Sequence, residues 1–190
     1  MSRNAFSTEF RPWVSVKSKI SGPLFWNENG ANISINFHLE NLGRTPALSV
    51  FVHWRLIVLG GVINIPEVQR ETMDVARRSI GHLGVVVFPG EQVDLPMGTN
   101  VSRPEIDKFS QSMIEKGWTA RSFSPLGVVG CVAYRSSLTE EINFTGFSYE
   151  ISSIPGVNPG GDSPTVDVDV PISNLVLRNN AFIYDAAFAS

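Results

Sequence analysis

Three histidines, one cysteine and a short acidic run are the side chains of this 190-residue chain best suited to chemistry. His38, His53 and His82 lie far apart in sequence, and no two of them have the close spacing of a metal-ligating pair. If segments 31–40 and 47–59 pair about a turn near residue 44, His38 falls opposite residue 50 and His53 lies some residues off. That arrangement lends a shared metal site little support. Asp167 and Asp169 fall on one face of an alternating segment, with Asp162 just before it, and could offer oxygens to calcium. The spacing of a calcium loop is absent, and a solvated strand face is the simpler reading. Glu140 and Glu141 are neighbours in a turn, where water reaches both, so their pairing does not point to acid–base work.

Cys131 is the sole cysteine, which excludes an internal disulfide and a thiolate metal cluster. Its neighbours are apolar and supply none of the positive charge a reactive thiol needs, so it reads as a small buried hydrophobe. No nucleophile elbow, phosphate-binding loop or dinucleotide-binding glycine pattern occurs. The sequons at Asn32, Asn100 and Asn143 are too short a pattern to read as glycosylation. No catalytic, cofactor-binding or metal-ligating residue is therefore assigned, and no cofactor is expected. Trp13, Trp26, Trp54 and Trp118 are spread along the chain, as core and rim residues usually are. The residues to inspect for a binding groove are Trp118 and Phe123, which flank the loop before residue 126, with His38 and His53.

The elements that would hold these residues are mostly strands. Residues 126–151 read as two strands joined by a polar turn. The first is apolar on both faces, with Val128, Val132 and Tyr134 on one and Val129, Cys131 and Ala133 on the other, so it belongs in the middle of a sheet. In the second, Phe147, Tyr149 and Ile151 alternate with Gly146, Ser148 and Glu150. The cleanest alternation is in 31–39: Ala31, Ile33, Ile35, Phe37 and Leu39 point one way, and Asn32, Ser34, Asn36 and His38 the other. A slip of one residue would bury the polar set, so the register is well specified. Residues 13–19 read as an edge strand guarded by Lys17 and Lys19. Asn41 to Ala47 is a turn in which Gly43 can take a positive φ, and it joins 31–40 to the apolar 47–59 strand as a hairpin.

Two helices interrupt the strands. Asn64 can cap the first, which has Pro66 in its first turn, Gly81 as its stop, and Val68, Thr72, Met73, Val75, Ala76 and Ile80 as its apolar stripe. Ser102 and Glu105 form a capping box for the second, with Ile106, Phe109, Met113 and Ile114 inward. Short strands follow Gly84, and 165–170 alternates as a closing strand after a Gly/Pro-rich loop, with Ile172 to Leu177 extending it. The fold class is mainly β: an immunoglobulin-like antiparallel β-sandwich of about seven to nine strands with two short inserted helices. Residues 1–10 form an N-terminal extension, 11–178 one domain, and 179–190 a C-terminal tail.

Charged residues make up 17% of the chain and the net charge is −3 with no basic block, which excludes an electrostatic nucleic-acid binder. No apolar run is long enough to span a membrane, and the first ten residues lack the apolar core of a signal peptide.

Three segments carry a resemblance. Phe10-Arg11-Pro12-Trp13-Val14, Asn41-Leu42-Gly43-Arg44-Thr45-Pro46-Ala47, and Gly130 to Arg135 followed by Thr145 to Tyr149 resemble, in order, motifs of a family of uncharacterised bacterial proteins. Those proteins carry short N-terminal transmembrane helices and an extracytoplasmic β-sandwich. The motifs are turns and core strands, and the family has no assigned catalytic residues to transfer. One departure is Asn143, which stands where the family often has a histidine. The resemblance implies an extracytoplasmic or membrane-associated address; a complete chain without those helices would be cytoplasmic.

The first expectation is thus a non-catalytic interaction or sensory domain, with a protein partner or self-association. An alternative is a small-ligand binder or enzyme whose site is assembled from dispersed residues, namely His38, His53 and the 155–164 loop. A self-associating structural protein is another.

Overall fold

A computed structural model describes residues 11–59, 64–81, 84–115, 125–139, 141–154 and 163–179. Among the described residues nine strands form two antiparallel sheets, and two helices are inserted between strands. The strands are β1 (Val14–Ile20), β2 (Phe25–Asn27), β3 (Gly30–Asn41), β4 (Ala47–Val58), β5 (Val85–Val87), β6 (Gln92–Ser102), β7 (Leu126–Ser136), β8 (Ile142–Ser153) and β9 (Leu175–Asn179). Helix α1 (Ile65–Ser79) lies between β4 and β5, and α2 (Arg103–Glu115) between β6 and β7.

Alternation in β3 sets the first sheet. Ala31, Ile33, Ile35, Phe37 and Leu39 are all buried, and the polar set faces out. β1 and β2 share one edge of β3, with Val14 opposite Asn41 and Phe25 opposite Asn32. β6 pairs along the whole of the other edge, from Glu40 opposite Gln92 to Gly30 opposite Ser102. Near the middle of that ladder Pro96 stands opposite Asn36. The second sheet has the order β5-β4-β7-β8-β9. β7 is central as its two apolar faces require, and β4 lies between β5 and β7.

The β3–β4 hairpin expected from the sequence does not form. β3 and β4 belong to different sheets, and His38 stands opposite Lys17 and Asp94 instead of residue 50. Both edges of β3 are already taken, and β4 gains more by pairing with β7 through most of its length. The 41–47 turn is therefore an arch that carries the chain across the sandwich.

Between the sheets, Phe37 packs edge-on against Trp54 with ring centroids 5.3 Å apart and against Phe147 at 5.2 Å. A second, smaller core lies on the far face of the second sheet, where Ala76 and Ile80 of the α1 segment cover Cys131 and Ala133. Glu67 near the start of α1 and Arg77 and Arg78 near its end complement the helix dipole. Asn64 occupies the N-cap position, yet its side chain makes no capping bond; its backbone carbonyl accepts from Glu67 and Val68. The buried face also includes Gln69, whose Nε2 donates to the Gly130 carbonyl at 2.6 Å. Gly81 ends the segment with φ of 99°. Glu105 Oε2 accepts from both the backbone N–H and the hydroxyl of Ser102 at the start of α2. Ile106 is buried, but Ile114 is 43% exposed, so the inward stripe of α2 is shorter than its sequence suggests.

The expected strand at 165–170 is also absent. Val168 is exposed, Asp167 has φ of 62°, and the segment makes isolated bridges in place of a ladder, Val170 with Leu24 among them. Residues Ile172–Asn174 make one 3-10 turn before β9, which pairs with β8. Among the described residues no helix is long and apolar enough to cross a membrane.

Candidate interaction surface

Of the four groove candidates, Trp118 and Phe123 lie outside the described residues, as do His82, Asp162, Glu140 and most of the 155–164 loop. The other two do not meet. His38 is on the outer face of the first sheet, where its Nδ1 lies 3.1 Å from Asp94 Oδ1, and Asn36 donates to the same oxygen at 3.1 Å. His53 is on the outer face of the second sheet, stacked on Phe51 at 6.3 Å between centroids. Burial, helped by the nearby Arg55 guanidinium, lowers the His53 pKa below the ordinary histidine value. Among the described residues no group of three or more His, Cys, Asp or Glu side chains is placed to hold a metal ion.

Asp167 and Asp169 do not share a strand face either. Asp167 makes a bidentate pair with Arg103, one of whose bonds is 2.9 Å. That pair holds the Asp167 carboxyl below the usual carboxylate range. Asp169 Oδ1 accepts the Trp26 backbone N–H at 2.8 Å. Both carboxylates pin the 165–170 segment to the start of α2 and to β2. Arg103 is flanked by two shallow, polar hollows of about 550 and 470 Å³. Glu28, Asn32 and Asn100 line the first; Asp107, Gln111 and Val166 line the second. The guanidinium itself is committed to Asp167 and, at 3.4 Å, to Asp107.

Cys131 is fully buried beneath α1, and burial pushes its thiol pKa up to about 12 although a hydrogen bond with Thr72 offsets part of the rise. We expect a thiol reagent to leave the native protein unlabelled and to react at the rate of global unfolding. Fast labelling without denaturant would contradict this burial.

The other end of the sandwich is different in kind. It lies the length of β3, roughly 40 Å, from Arg103. Here Asn41, fully buried, uses all the hydrogen-bonding capacity of its amide. Its Oδ1 accepts from the backbone N–H of Trp13 at 3.3 Å and of Gly43 at 3.0 Å. Its Nδ2 donates to the carbonyls of Thr45 and Val87, both at 2.9 Å. One side chain thereby ties together the start of β1, the arch and the end of β5. Leu42 N–H donates to the Trp13 carbonyl, and Gly90 N–H to that of Asn41.

These bonds bring together the three segments that carry large exposed apolar side chains: Trp13 is 56% exposed, Leu42 60% and Phe88 57%. Val86 of the edge strand β5 is exposed as well. Arg11 lies over the Trp13 ring, its guanidinium carbon 5.7 Å from the centroid, and exposed Arg44 stands in the same arch.

Sequence reasoning missed this surface. In the sequence Trp13 reads as a packing residue and Asn41 to Ala47 as a turn only. The available signals were the Asn-x-Gly of an Asx turn and two large apolar residues, Leu42 and Phe88, in or beside turns. Gly43 also has a different reason from the one expected, for its φ is not in the positive range. A Cβ there would lie 2.5 Å from Trp13 N and 2.6 Å from Arg11 O. Gly43→Ala should therefore cost about 1–3 kcal/mol in urea unfolding; an unchanged midpoint would mean the close approach yields freely.

Comparison of the chain with protein-family models, with curated proteins and with solved structures gave no match.

Proposed function

We propose that the chain is a non-catalytic interaction or sensory domain of immunoglobulin-like type, extracytoplasmic and membrane-associated as the family resemblance implies. The carrying observation is the Trp13–Leu42–Phe88 surface. Clustered apolar side chains on the outside of a folded domain oppose solubility, and such patches recur at interaction sites. Tryptophan is also among the residues that dominate binding energy where it is buried by a partner.

The immunoglobulin-like reading is supported by strand order. β1-β3-β6 follows the A-B-E order of that fold, and β5-β4-β7-β8 follows C′-C-F-G. The two helices then occupy the C–C′ and E–F connections.

A small-ligand reading has one observation in its favour, the two hollows beside Arg103. Hydrogen exchange separates the two readings. The chain is incubated with a cell-envelope fraction, and separately with a pool of small metabolites. The interaction reading expects protection at 11–13, 41–45 and 85–91 with the envelope fraction. Protection confined to 100–107 by the metabolite pool would sink it in favour of a ligand site.

A further inference from the structure

We infer that the Trp13–Leu42–Phe88 end seats on a lipid surface carrying anionic headgroups. This rests on the interaction reading above and names the partner. Shape is the first argument. Three large apolar side chains from three separate segments are each more than half exposed, at the end of the sandwich and not in a groove. The two hollows described above lie at the opposite end, beside Arg103. A protein partner must offer a matched pocket to such an end. A bilayer interface conforms to one.

Chemistry is the second argument. An aromatic ring with a guanidinium against it, beside exposed leucine and phenylalanine, combines groups that settle at the boundary between headgroups and acyl chains. Arg11 brings a positive charge to the Trp13 ring although the chain as a whole carries −3. Among the described residues the acid beside Phe88 is Glu91, whose Oε2 accepts the Phe88 N–H at 2.8 Å. Glu40 lies on the outer face of the first sheet, opposite Ser15 and Gln92. Positive charge next to apolar tips matches a surface negative at the headgroups and apolar beneath.

Rigidity is the third argument. The four Asn41 bonds hold the turns in one arrangement, so little ordering cost falls on binding.

The test uses the purified chain with vesicles of phosphatidylcholine alone and of phosphatidylcholine with phosphatidylglycerol. We expect cosedimentation with the anionic vesicles that weakens as salt rises. Tryptophan emission should shift to the blue on binding, and this shift should vanish in Trp13→Ser. Combining Trp13→Ser, Leu42→Ser and Phe88→Ser should lower partitioning about tenfold or more. Arg11→Gln should reduce binding to the anionic vesicles while Lys19→Gln, on the outer face of the first sheet, leaves it unchanged. Each variant is first shown to unfold cooperatively. Failure of the folded wild-type chain to bind either vesicle would overturn the lipid proposal, as would a triple variant that binds like wild type. If the vesicles fail while the envelope fraction still protects 11–13, 41–45 and 85–91, the partner is a protein: the lipid proposal falls and the interaction reading stands.

Discussion

Asn41→Leu lowers the unfolding free energy by about 3–5 kcal/mol. The substitution preserves volume approximately and removes all four hydrogen bonds at once. Two N–H groups and two carbonyls lose their partner, each at about 1–3 kcal/mol where water cannot replace it. The total stays below the sum because the arch lies near solvent. Domain stabilities are about 5–15 kcal/mol, so this one change uses much of the margin. Urea unfolding followed by near-ultraviolet dichroism measures it, and a midpoint near wild type would show that the amide is not the fastener.

Asn41→Asp sharpens the same test, because it keeps the shape and changes only the donor. An ionised carboxylate would face the Thr45 and Val87 carbonyls, so burial and those acceptors raise the introduced group's pKa in the folded state. A raised folded pKa favours folding below the unfolded value of about 3.9, and that contribution is lost as pH rises through the folded value. The deficit of the variant relative to wild type should therefore grow from acid toward neutral pH. A constant deficit across that range would refute the donor role.

Phe37→Ala has the other large effect. Phe37 is fully buried where the sheets face each other, touching Trp54 from β4 and Phe147 from β8. Truncating a core phenylalanine costs about 3–5 kcal/mol through lost transfer and a residual cavity, with about 0.5–1.5 kcal/mol more for each aromatic pair. Phe37→Asp should abolish folding, since the charge would have no partner between the sheets. A cooperative melt of Phe37→Asp near the wild-type temperature would remove Phe37 from the core.

What could be read in advance follows the range of the forces involved. The faces of β3 and β7 were legible because alternation is local and a slip would bury Asn36 or expose Phe37. The partner of β3 was not, since the ladder with β6 joins residues about sixty apart and an arch looks like a hairpin turn in sequence. Residues 165–170 alternate without forming a strand because two of their polar members have stronger engagements elsewhere: Asp167 with Arg103, and Asp169 with Trp26. The candidate surface was the least legible part. Exposure of Trp13 depends on what covers it in three dimensions, and a tryptophan reads alike in a core or on a tip.

Pro96 bears on how these molecules behave in company. Along its outer edge the eleven-residue β6 has no partner among the described residues. A proline has no N–H to give, and inside a sheet it is tolerated where its nitrogen faces outward. A second chain approaching that edge finds a missing rung at its middle and cannot zip along it. If many copies are crowded on one surface by their apolar tips, that missing rung keeps the crowd from becoming a fibre.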